Sequence, residues 1–299
     1  MPDKIAIIDI GTNTINLLMV NKYAKTYQVL HSERTGVKLG QGGLNKSVIT
    51  KKSFNKGIDC LVNYTETCAE YNVKSIYAFG TSMLRQAKNA KTFIHLVKKK
   101  TNLDIQILNG VEEAKLIYNG IKLGYDFHEK SVIMDIGGGS TEFILADQNG
   151  LIDTVSLDIG ISRINQHFNF SNTLSQLDIK AIEQFLHKKI GNKLHTYQVD
   201  QLIGSSGSFK TFFELTYKKK YDTKLFQTIG ITSLYKTLDK IIKSSYQERI
   251  NNPHILTLRS ELLAISAVKT KWILKKLNCK EVIVSPNSIK EGVIFNSIF

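Results

Sequence analysis

The sequence predicts an α/β protein made of two similar domains. Two short apolar runs, residues 5–9 and 132–136, have the length of buried strands, and each ends in an aspartate followed by a glycine-containing turn with hydroxyl side chains. The two aspartates, Asp9 and Asp135, lie 135 − 9 = 126 residues apart, about the length of one domain. Strands and helices alternate after each run, which favours sheets covered by helices.

The first half of the chain begins with strands and then alternates helices with strands. Its predicted elements, in order, are strands at 5–9, 17–21 and 27–32, a helix at 53–71, a strand at 75–81, a helix at 89–100, a strand at 104–108 and a helix at 111–123. Apolar residues at helical spacing, such as Ile58, Leu61 and Cys68, indicate the first helix.

The second half repeats this layout. Its predicted elements are strands at 132–136, 141–146, 151–157, 201–204 and 281–285, and helices at 175–189, 208–218, 233–245, 259–277 and 289–299. The Asn149-Gly150 turn favours a tight hairpin, so the first three strands form an antiparallel meander. A polar stretch at 124–130 separates domains at 1–124 and 125–299, each expected to hold a mixed sheet flanked by helices.

Composition excludes several classes of protein. Of the 299 residues, 42% are hydrophobic and 22% charged, as in soluble globular proteins. No apolar run approaches the ~18 residues of a membrane span, so a cytoplasmic protein without membrane association is expected. Cys60, Cys68 and Cys279 form no CxxC pair, which argues against a disulfide framework or a zinc site. The net charge of +14 attracts polyanions, but no nucleic-acid-binding signature accompanies it, so nucleic acid is not an expected partner.

The two glycine-containing turns predict a phosphate clamp across a cleft. Glycine lets the backbone turn tightly, so that amide N–H groups can face a phosphate. The aspartate at each strand end can hold a hydrated divalent cation against that phosphate. The residues of the two turns are Asp9, Gly11, Thr12, Asn13 and Thr14 in the first, and Asp135, Gly137, Gly138, Gly139, Ser140 and Thr141 in the second.

Two further segments follow predicted strands. Arg85 is expected near the carboxyl edge of the sheet, where α/β proteins bind ligands. Glu112 and Glu113 begin a predicted helix, where acids often only stabilise the first turn, by less than ~1 kcal/mol at a surface. Beside two glycine turns, a carboxylate that acts in catalysis becomes the better interpretation.

With these motifs the chain resembles the exopolyphosphatase and guanosine pentaphosphate phosphohydrolase family (Ppx/GppA type) over nearly its whole length. The resemblance implies the actin-like ATPase superfamily: two actin-like (ribonuclease H-like) domains with a cleft between them, and a last helix that packs back on the first domain. The six motifs that carry it are Asp9-Ile-Gly-Thr-Asn-Thr, Thr81-Ser-Met-Leu-Arg85, Gly110-Val-Glu-Glu-Ala-Lys-Leu-Ile117, Asp135-Ile-Gly-Gly-Gly-Ser-Thr-Glu142, Ser156-Leu-Asp-Ile-Gly-Ile-Ser-Arg163 and Gly204-Ser-Ser-Gly207.

The resemblance implies a role for each matching residue. Glu113 matches the catalytic glutamate that activates water, and Arg85 matches the arginine that binds phosphate. Asp135 and Glu142 match the residues that hold a divalent cation, which we expect to be Mg²⁺. The other implied phosphate contacts are the two glycine turns, Arg163, and the loop of Gly204, Ser205, Ser206 and Gly207.

The chain departs from the family pattern near its end. Pro286, Ser288 and Lys290 stand where family members commonly have aspartate, glycine and arginine. A lysine cannot form the bidentate fork that arginine makes with phosphate. Longer members add a helical domain that extends the polyphosphate groove, so this chain is expected to grip a shorter stretch or to extend the groove as a homodimer. Lys38, a loop residue, is the weakest candidate for holding the anion.

The predicted reaction is hydrolysis of a terminal phosphoanhydride. It needs a cation and donors on the phosphate oxygens, and a base in line with phosphorus. The expected activity is that of a Mg²⁺-dependent exopolyphosphatase acting on polyphosphate. The alternatives are removal of the 5′-terminal phosphate of guanosine pentaphosphate (pppGpp) and a nucleotide or phosphate sensor with little turnover. Glu113 argues against the sensor, and no acceptor motif supports a kinase.

Overall fold

The structure is a computed structural model that describes residues 3–170 and 173–298. Within these residues, eleven strands and twelve α-helices form two compact units. Unit 1 comprises residues 3–123 and 289–298, and unit 2 comprises the described residues of 124–288. Each unit has its own sheet and its own hydrophobic core. None of the helices in the described part of the chain combines the length and the hydrophobicity of a membrane span.

Unit 1 is a five-stranded mixed sheet with helices. Its elements are β1 (Asp3–Ile10), β2 (Ile15–Lys22), β3 (Tyr27–Thr35), α1 (Lys51–Glu70), β4 (Ser75–Gly80), α2 (Ser82–Gln86), α3 (Ala90–Thr101), β5 (Ile105–Ile107), α4 (Gly110–Lys122) and α12 (Ile289–Ile298). The strand order is β3-β2-β1-β4-β5. The pairs β1–β2 and β2–β3 are antiparallel, and the pairs β1–β4 and β4–β5 are parallel.

The sheet of unit 1 buries one face against α1 and α3. Ile8 and Ile10 of β1 belong to a core cluster with residues of these two helices. Because side chains alternate along a strand, Asp9 lies on the opposite face. The helices α4 and α12 pack against each other. A Cβ on Gly292 would overlap the backbone carbonyl of Leu116, so glycine is what permits this close approach.

Unit 2 is a six-stranded mixed sheet with helices. Its elements are β6 (Ser131–Ile136), β7 (Thr141–Asp147), β8 (Gly150–Leu157), α5 (Ile161–Phe168), α6 (Gln176–Ile190), β9 (Gln201–Ser205), α7 (Gly207–Tyr217), β10 (Gln227–Gly230), α8 (Ile231–Lys243), α9 (Tyr246–Ile250), α10 (Thr257–Ser260), α11 (Leu263–Leu277) and β11 (Glu281–Val284). The strand order is β10-β11-β9-β6-β7-β8, in which β6, β9 and β11 are parallel.

The sheet of unit 2 buries one face against α6, α8 and α11. Met134 and Ile136 of β6 and Phe143 of β7 belong to a core cluster with residues of α6, α8 and α11. Strand alternation therefore sets Asp135 and Glu142 on the other face of the sheet. The two acids are neighbours there because β6 and β7 pair them in register.

The predicted α/β class, with mixed sheets flanked by helices, is confirmed. Each unit begins with an antiparallel three-stranded meander and continues with parallel strands, to which unit 2 adds β10 antiparallel to β11. The predicted elements do not include α5 and β10. The start of α5 at Gly160 has no side-chain cap, and β10 has four residues of which one is buried.

The predicted helix at 259–277 is wrong at its start, because the structure divides it into α10 and α11. The carbonyl of Ser260, at the end of α10, accepts a hydrogen bond from Arg249 Nε at 2.8 Å. The Arg249 side chain thus uses the Ser260 carbonyl, which in a continuous helix would accept a hydrogen bond from the N–H of residue 264. The last residue of the predicted closing helix, Phe299, lies outside the described residues.

Candidate functional site

In unit 1, a row of polar side chains crosses three strands on the face that carries Asp9. The sheet register sets Asp9 of β1 opposite Asn16 of β2, and Asn16 opposite Arg34 of β3. Asn16 Nδ2 donates to Asp9 Oδ2 at 3.0 Å, and Arg34 Nε donates to Asn16 Oδ1 at 2.8 Å. The amide of Asn16 therefore links a carboxylate to a guanidinium.

Burial and nearby charges shift the pKa of the Asp9 carboxyl in opposite directions. Burial raises its pKa, while the charge of Lys290, the hydrogen bond from Asn16 and the charge of Arg34 act in the opposite direction. Lys290 belongs to α12, so the end of the chain brings a positive charge towards the aspartate of the first glycine turn.

The first glycine turn is held by the segment that follows β3. The carbonyl of Thr12 accepts from Gly40 N–H at 3.0 Å, and the carbonyl of Asn13 accepts from Lys38 N–H at 2.8 Å. Lys38 has a φ of 54°, in the left-handed region, which lets the chain turn back at this point. Lys38, the weakest predicted anion ligand, therefore contributes its backbone to the shape of the turn.

Arg85 and Glu113 form an ion pair in unit 1. Arg85 lies on α2, directly after β4, and Glu113 lies in the first turn of α4. Arg85 Nη1 donates to Glu113 Oε2 at 2.9 Å and to the Leu108 carbonyl at 2.8 Å. The two side chains are 21% and 6% exposed, so most of the solvent is excluded from the pair. The structure thus brings the predicted catalytic glutamate and the predicted phosphate-binding arginine into contact.

The neighbouring acid, Glu112, caps the helix instead. Asn109 Oδ1 accepts from the N–H groups of Val111 and Glu112 at 2.9 and 3.0 Å. In return, Glu112 Oε2 accepts from Asn109 N–H at 2.8 Å, which completes a capping box. The next residue lies about 100° further round the helix, so Glu113 turns inward. The helix start therefore gives the two acids different surroundings.

Unit 2 carries a similar row on the face of Asp135 and Glu142. The register sets Ser205 of β9 beside Asp135 of β6, and Ser156 of β8 opposite Glu142 of β7. Asp135 Oδ2 accepts from Ser205 Oγ at 3.3 Å and from Ser288 Oγ at 3.0 Å. Glu142 Oε1 accepts from Ser156 Oγ at 2.8 Å. Serine hydroxyls therefore orient both carboxylates.

This pair of carboxylates fits a hard divalent cation. Asp135 and Glu142 are 9% and 1% exposed and face each other from paired positions. Mg²⁺ suits such oxygen ligands, since it commonly takes one or two carboxylates and completes its shell with water and phosphate oxygens. Across residues 3–170 and 173–298, no group of three or more histidine, cysteine, aspartate or glutamate side chains could hold a metal ion.

The second glycine turn, residues 137–141, is held by the start of α5. Backbone N–H groups of residues 160–163 donate to the carbonyls of residues 137–139 at 2.9 to 3.2 Å. A Cβ on Gly160 would overlap the turn, so glycine is needed there. The C=O and N–H of one peptide point in opposite directions. The amides that follow these carbonyls therefore point away from α5, as in a phosphate-binding turn.

Arg163 supports the same turn. Its Nε donates to the Gly139 carbonyl at 3.0 Å, and its Nη2 lies 3.5 Å from Asp158 Oδ1. The side chain is 13% exposed. This predicted anion ligand thus bonds the backbone of the turn.

Residues 204–207, predicted as a loop, span the junction of β9 and α7: Gly204 and Ser205 end the strand, and Gly207 begins the helix after Ser206. Ser206 has a φ of 108° and a ψ of 167°, which is strained for any residue but glycine. The guanidinium of Arg259 lies against Gly207, where a Cβ would come 2.5 Å from Nη2. Arg259 Nη1 also donates to Thr211 Oγ1 at 2.7 Å. A positive side chain therefore lies at the start of α7.

Lys269 of α11 is a site residue that the motifs do not indicate. It is 0% exposed, and its Nζ donates to Thr141 Oγ1 and, at 2.8 Å, to the Ile159 carbonyl. Burial lowers its pKa to about 7, while the charges of Glu142 and Asp135 act in the opposite direction. A lysine within the mostly apolar run of α11 is the sequence signal that could have found it. Arg259 and Ser288 were missed as well, because their contacts join segments 48 and 153 residues apart. Asn16 and Arg34 were missed because their contacts depend on the register of neighbouring strands.

Comparisons with known proteins identify a family that matches most of the chain. A model of the Ppx/GppA phosphatase family matches residues 18–298. The chain is 27% identical to a bifunctional 3-dehydroquinate synthase/phosphatase of Fusobacterium nucleatum, over 98% of this chain and 46% of that protein. The chain therefore spans about half the length of this curated relative.

Two solved structures are similar over almost the whole chain. An exopolyphosphatase from Cytophaga hutchinsonii is 27% identical with a TM-score of 0.94, covering 99% of this chain and 98% of that one. A Ppx/GppA family member from Aquifex aeolicus is 21% identical with a TM-score of 0.83, covering 100% and 98%. The chain belongs to the Ppx/GppA phosphatase family and is a phosphoanhydride hydrolase, which confirms the predicted family and the predicted class of enzyme.

Proposed function

We propose that this protein is an exopolyphosphatase that hydrolyses the terminal phosphate of inorganic polyphosphate. The observation that carries the proposal is the buried Glu113 carboxylate, held by Arg85 in the first turn of α4. The relative from Cytophaga hutchinsonii that bears the name exopolyphosphatase supports the substrate class. The net charge of +14 suits a polyanionic substrate.

Glu113 acts as the general base. It accepts the proton of the attacking water, and Arg85 Nη1 keeps the carboxylate oriented through the 2.9 Å bond. A guanidinium has five N–H donors, so Arg85 has donors besides Nη1 for a phosphate oxygen. Arg85 can therefore hold the Glu113 carboxylate and the phosphate close to each other. A positioned base of this kind contributes roughly 10²- to 10⁴-fold to a rate.

Asp135 and Glu142 are the residues that would hold Mg²⁺. Their serine partners, Ser205, Ser288 and Ser156, keep the two carboxylates turned to one face of the sheet. When bound, the cation would neutralise negative charge on the phosphate oxygens. The backbone amides of the second glycine turn contribute further donors to the phosphate.

A matched pair of variants tests the role of Glu113. Glu113→Gln keeps the shape and removes the base, whereas Glu112→Gln makes the same chemical change in the capping residue next to it. Phosphate release is measured with Mg²⁺ and long polyphosphate, tripolyphosphate, pppGpp or ATP. We expect polyphosphate turnover that falls by roughly 10²- to 10⁴-fold in Glu113→Gln and only slightly in Glu112→Gln.

Other outcomes would replace the proposal. Turnover confined to pppGpp would make the protein a pppGpp phosphohydrolase. Binding of phosphorylated ligands without turnover in the wild type would make it a sensor. Equal losses in the two glutamine variants would remove Glu113 from the role of base.

A further inference from the structure

One amine joins the second glycine turn to the segment that holds it. Thr141 ends the turn and begins β7, and Ile159 precedes the residues whose amides bond the turn. Lys269 Nζ bonds to both, through the hydroxyl of Thr141 and the carbonyl of Ile159. Lys269 reaches them from the interior of α11, where it is fully buried. The turn is thus held by the side-chain amine of a buried lysine.

This amine lies on the opposite side of the sheet from the two carboxylates. The cluster that contains residues of α11 also contains Met134 and Phe143, which alternate with Asp135 and Glu142 along their strands. Charge interactions with Glu142 and Asp135 nevertheless stabilise the protonated form of Lys269. The amine therefore attracts the two carboxylates through the sheet. It leaves open the face on which a cation would be bound.

We propose that Lys269 is a positioning residue whose protonated form strengthens phosphate binding by unit 2 and weakens its binding of a free divalent cation. This inference rests on the roles proposed above for Asp135, Glu142 and the second glycine turn. Two carboxylates alone present two negative charges, and the ammonium reduces their sum to one. Lys269 therefore favours joint binding of phosphate and cation over binding of the cation alone.

Three variants separate the charge from the packing of the side chain. Lys269→Met removes the charge and the hydrogen bonds, and Lys269→Gln removes the charge but keeps an N–H donor. Lys271→Met is the matched control, because Lys271 lies on the same helix and pairs with Asp239. Circular dichroism and thermal unfolding first establish that each variant is folded.

Two binding measurements are made at pH 6.5. Mn²⁺ is titrated without phosphate, and tripolyphosphate is titrated in EDTA. We expect Mn²⁺ to bind about tenfold more tightly, and tripolyphosphate about tenfold more weakly, to both Lys269 variants, the size of effect of one nearby charge at a partly shielded site. Lys271→Met is expected to behave as the wild type in both titrations.

Whether Mn²⁺ affinity rises or falls in the Lys269 variants tests the inference. A lysine with a merely structural role would loosen the carboxylates when replaced, so weaker or unchanged Mn²⁺ binding in folded Lys269 variants would overturn the inference. Absence of Mn²⁺ binding in the wild type would overturn it too. Failure of the proposed function is distinguishable, because it would show as absent phosphate release from polyphosphate while the binding pattern remained as expected.

Discussion

Asn16 occupies in unit 1 the position that Glu142 occupies in unit 2. Each faces, across an antiparallel pair of strands, the aspartate near the end of the first strand of its unit: Asp9 for Asn16 and Asp135 for Glu142. The amide of Asn16 donates a hydrogen bond to its aspartate, whereas two ionised carboxylates repel each other unless a cation lies near them. The repeated fold thus carries rows of different charge, and the row of unit 2 is the one suited to a divalent cation.

This difference predicts that a substitution at Glu142, but not one at Asn16, weakens the binding of a divalent cation. Glu142→Gln removes one of the two carboxylates without changing the size of the side chain, so Mn²⁺ binding is expected to weaken by roughly 10- to 100-fold. Asn16→Ala, at the equivalent position in unit 1, is expected to leave Mn²⁺ binding unchanged. Calorimetric titration checks both. Equal loss in the two variants would contradict the assignment of the cation to unit 2.

A second prediction concerns the contact between α4 and α12. In Gly292→Ala the new methyl group meets the carbonyl of Leu116, a backbone atom that cannot move aside easily. We expect the free energy of unfolding to fall by about 1–3 kcal/mol, as in overpacked cores. Gly36→Ala is the control, since nothing lies within 4 Å of a Cβ at Gly36. Urea unfolding measures both, and the same loss in the control would refute the steric explanation.

A third prediction uses the strained backbone of Ser206. Its φ of 108° and ψ of 167° disfavour any side chain, and its hydroxyl oxygen is buried without a hydrogen-bond partner in the described structure. Relief of strain of about 1–3 kcal/mol exceeds the entropic disadvantage of glycine, about 0.5–1 kcal/mol, so Ser206→Gly should raise the free energy of unfolding by about 1 kcal/mol.

The control for this variant is an ordinary helix cap. Ser245 has a φ of −71°, and its hydroxyl accepts from Glu248 N–H, so Ser245→Gly should lower the free energy of unfolding by a few tenths of a kcal/mol. Thermal or urea unfolding therefore gives opposite signs for two Ser→Gly changes. Destabilisation by Ser206→Gly would show that the backbone of residue 206 is not under strain.

A fourth prediction concerns pH and Lys269. Burial lowers the pKa of this lysine from its ordinary 10.5 to about 7. Between these values the unfolded chain binds more protons than the folded one, so this residue makes the free energy of unfolding rise with pH, by at most ~1.4 kcal/mol per pH unit. Below pH 7 the full unfavourable effect of burying the ammonium is present, and above pH 10.5 it is absent.

Variants isolate this dependence from other titrating groups. Urea unfolding at pH 7, 8 and 9 should show a shallower rise with pH for Lys269→Met than for the wild type. Lys271→Met, which loses a charge at a half-exposed position on the same helix, should follow the wild type. Parallel curves for the wild type and Lys269→Met would mean that the lysine titrates as if it were in water.

Local patterns account for what could be predicted from the sequence. Apolar runs located β1 and β6, and the glycine turns after them stand at strand ends as expected. The start of α4 was readable because Asn109 and Glu112 form a capping box, a signal contained in a few neighbouring residues. The start of α5 at Gly160 lacks such a signal, since the N–H groups of that segment bond the second glycine turn.

By itself, the sequence determined the family, the two repeated strand–turn units and the pair of acids at the start of α4. The tertiary structure decided that Glu113 turns to Arg85 while Glu112 caps the helix, and that Lys269 is buried under the second turn. It also brought Ser288 to Asp135, from 153 residues away. Turns and caps depend on neighbouring residues. These contacts depend on the packing of segments that are distant in the chain, and a local sequence pattern carries no information about that packing.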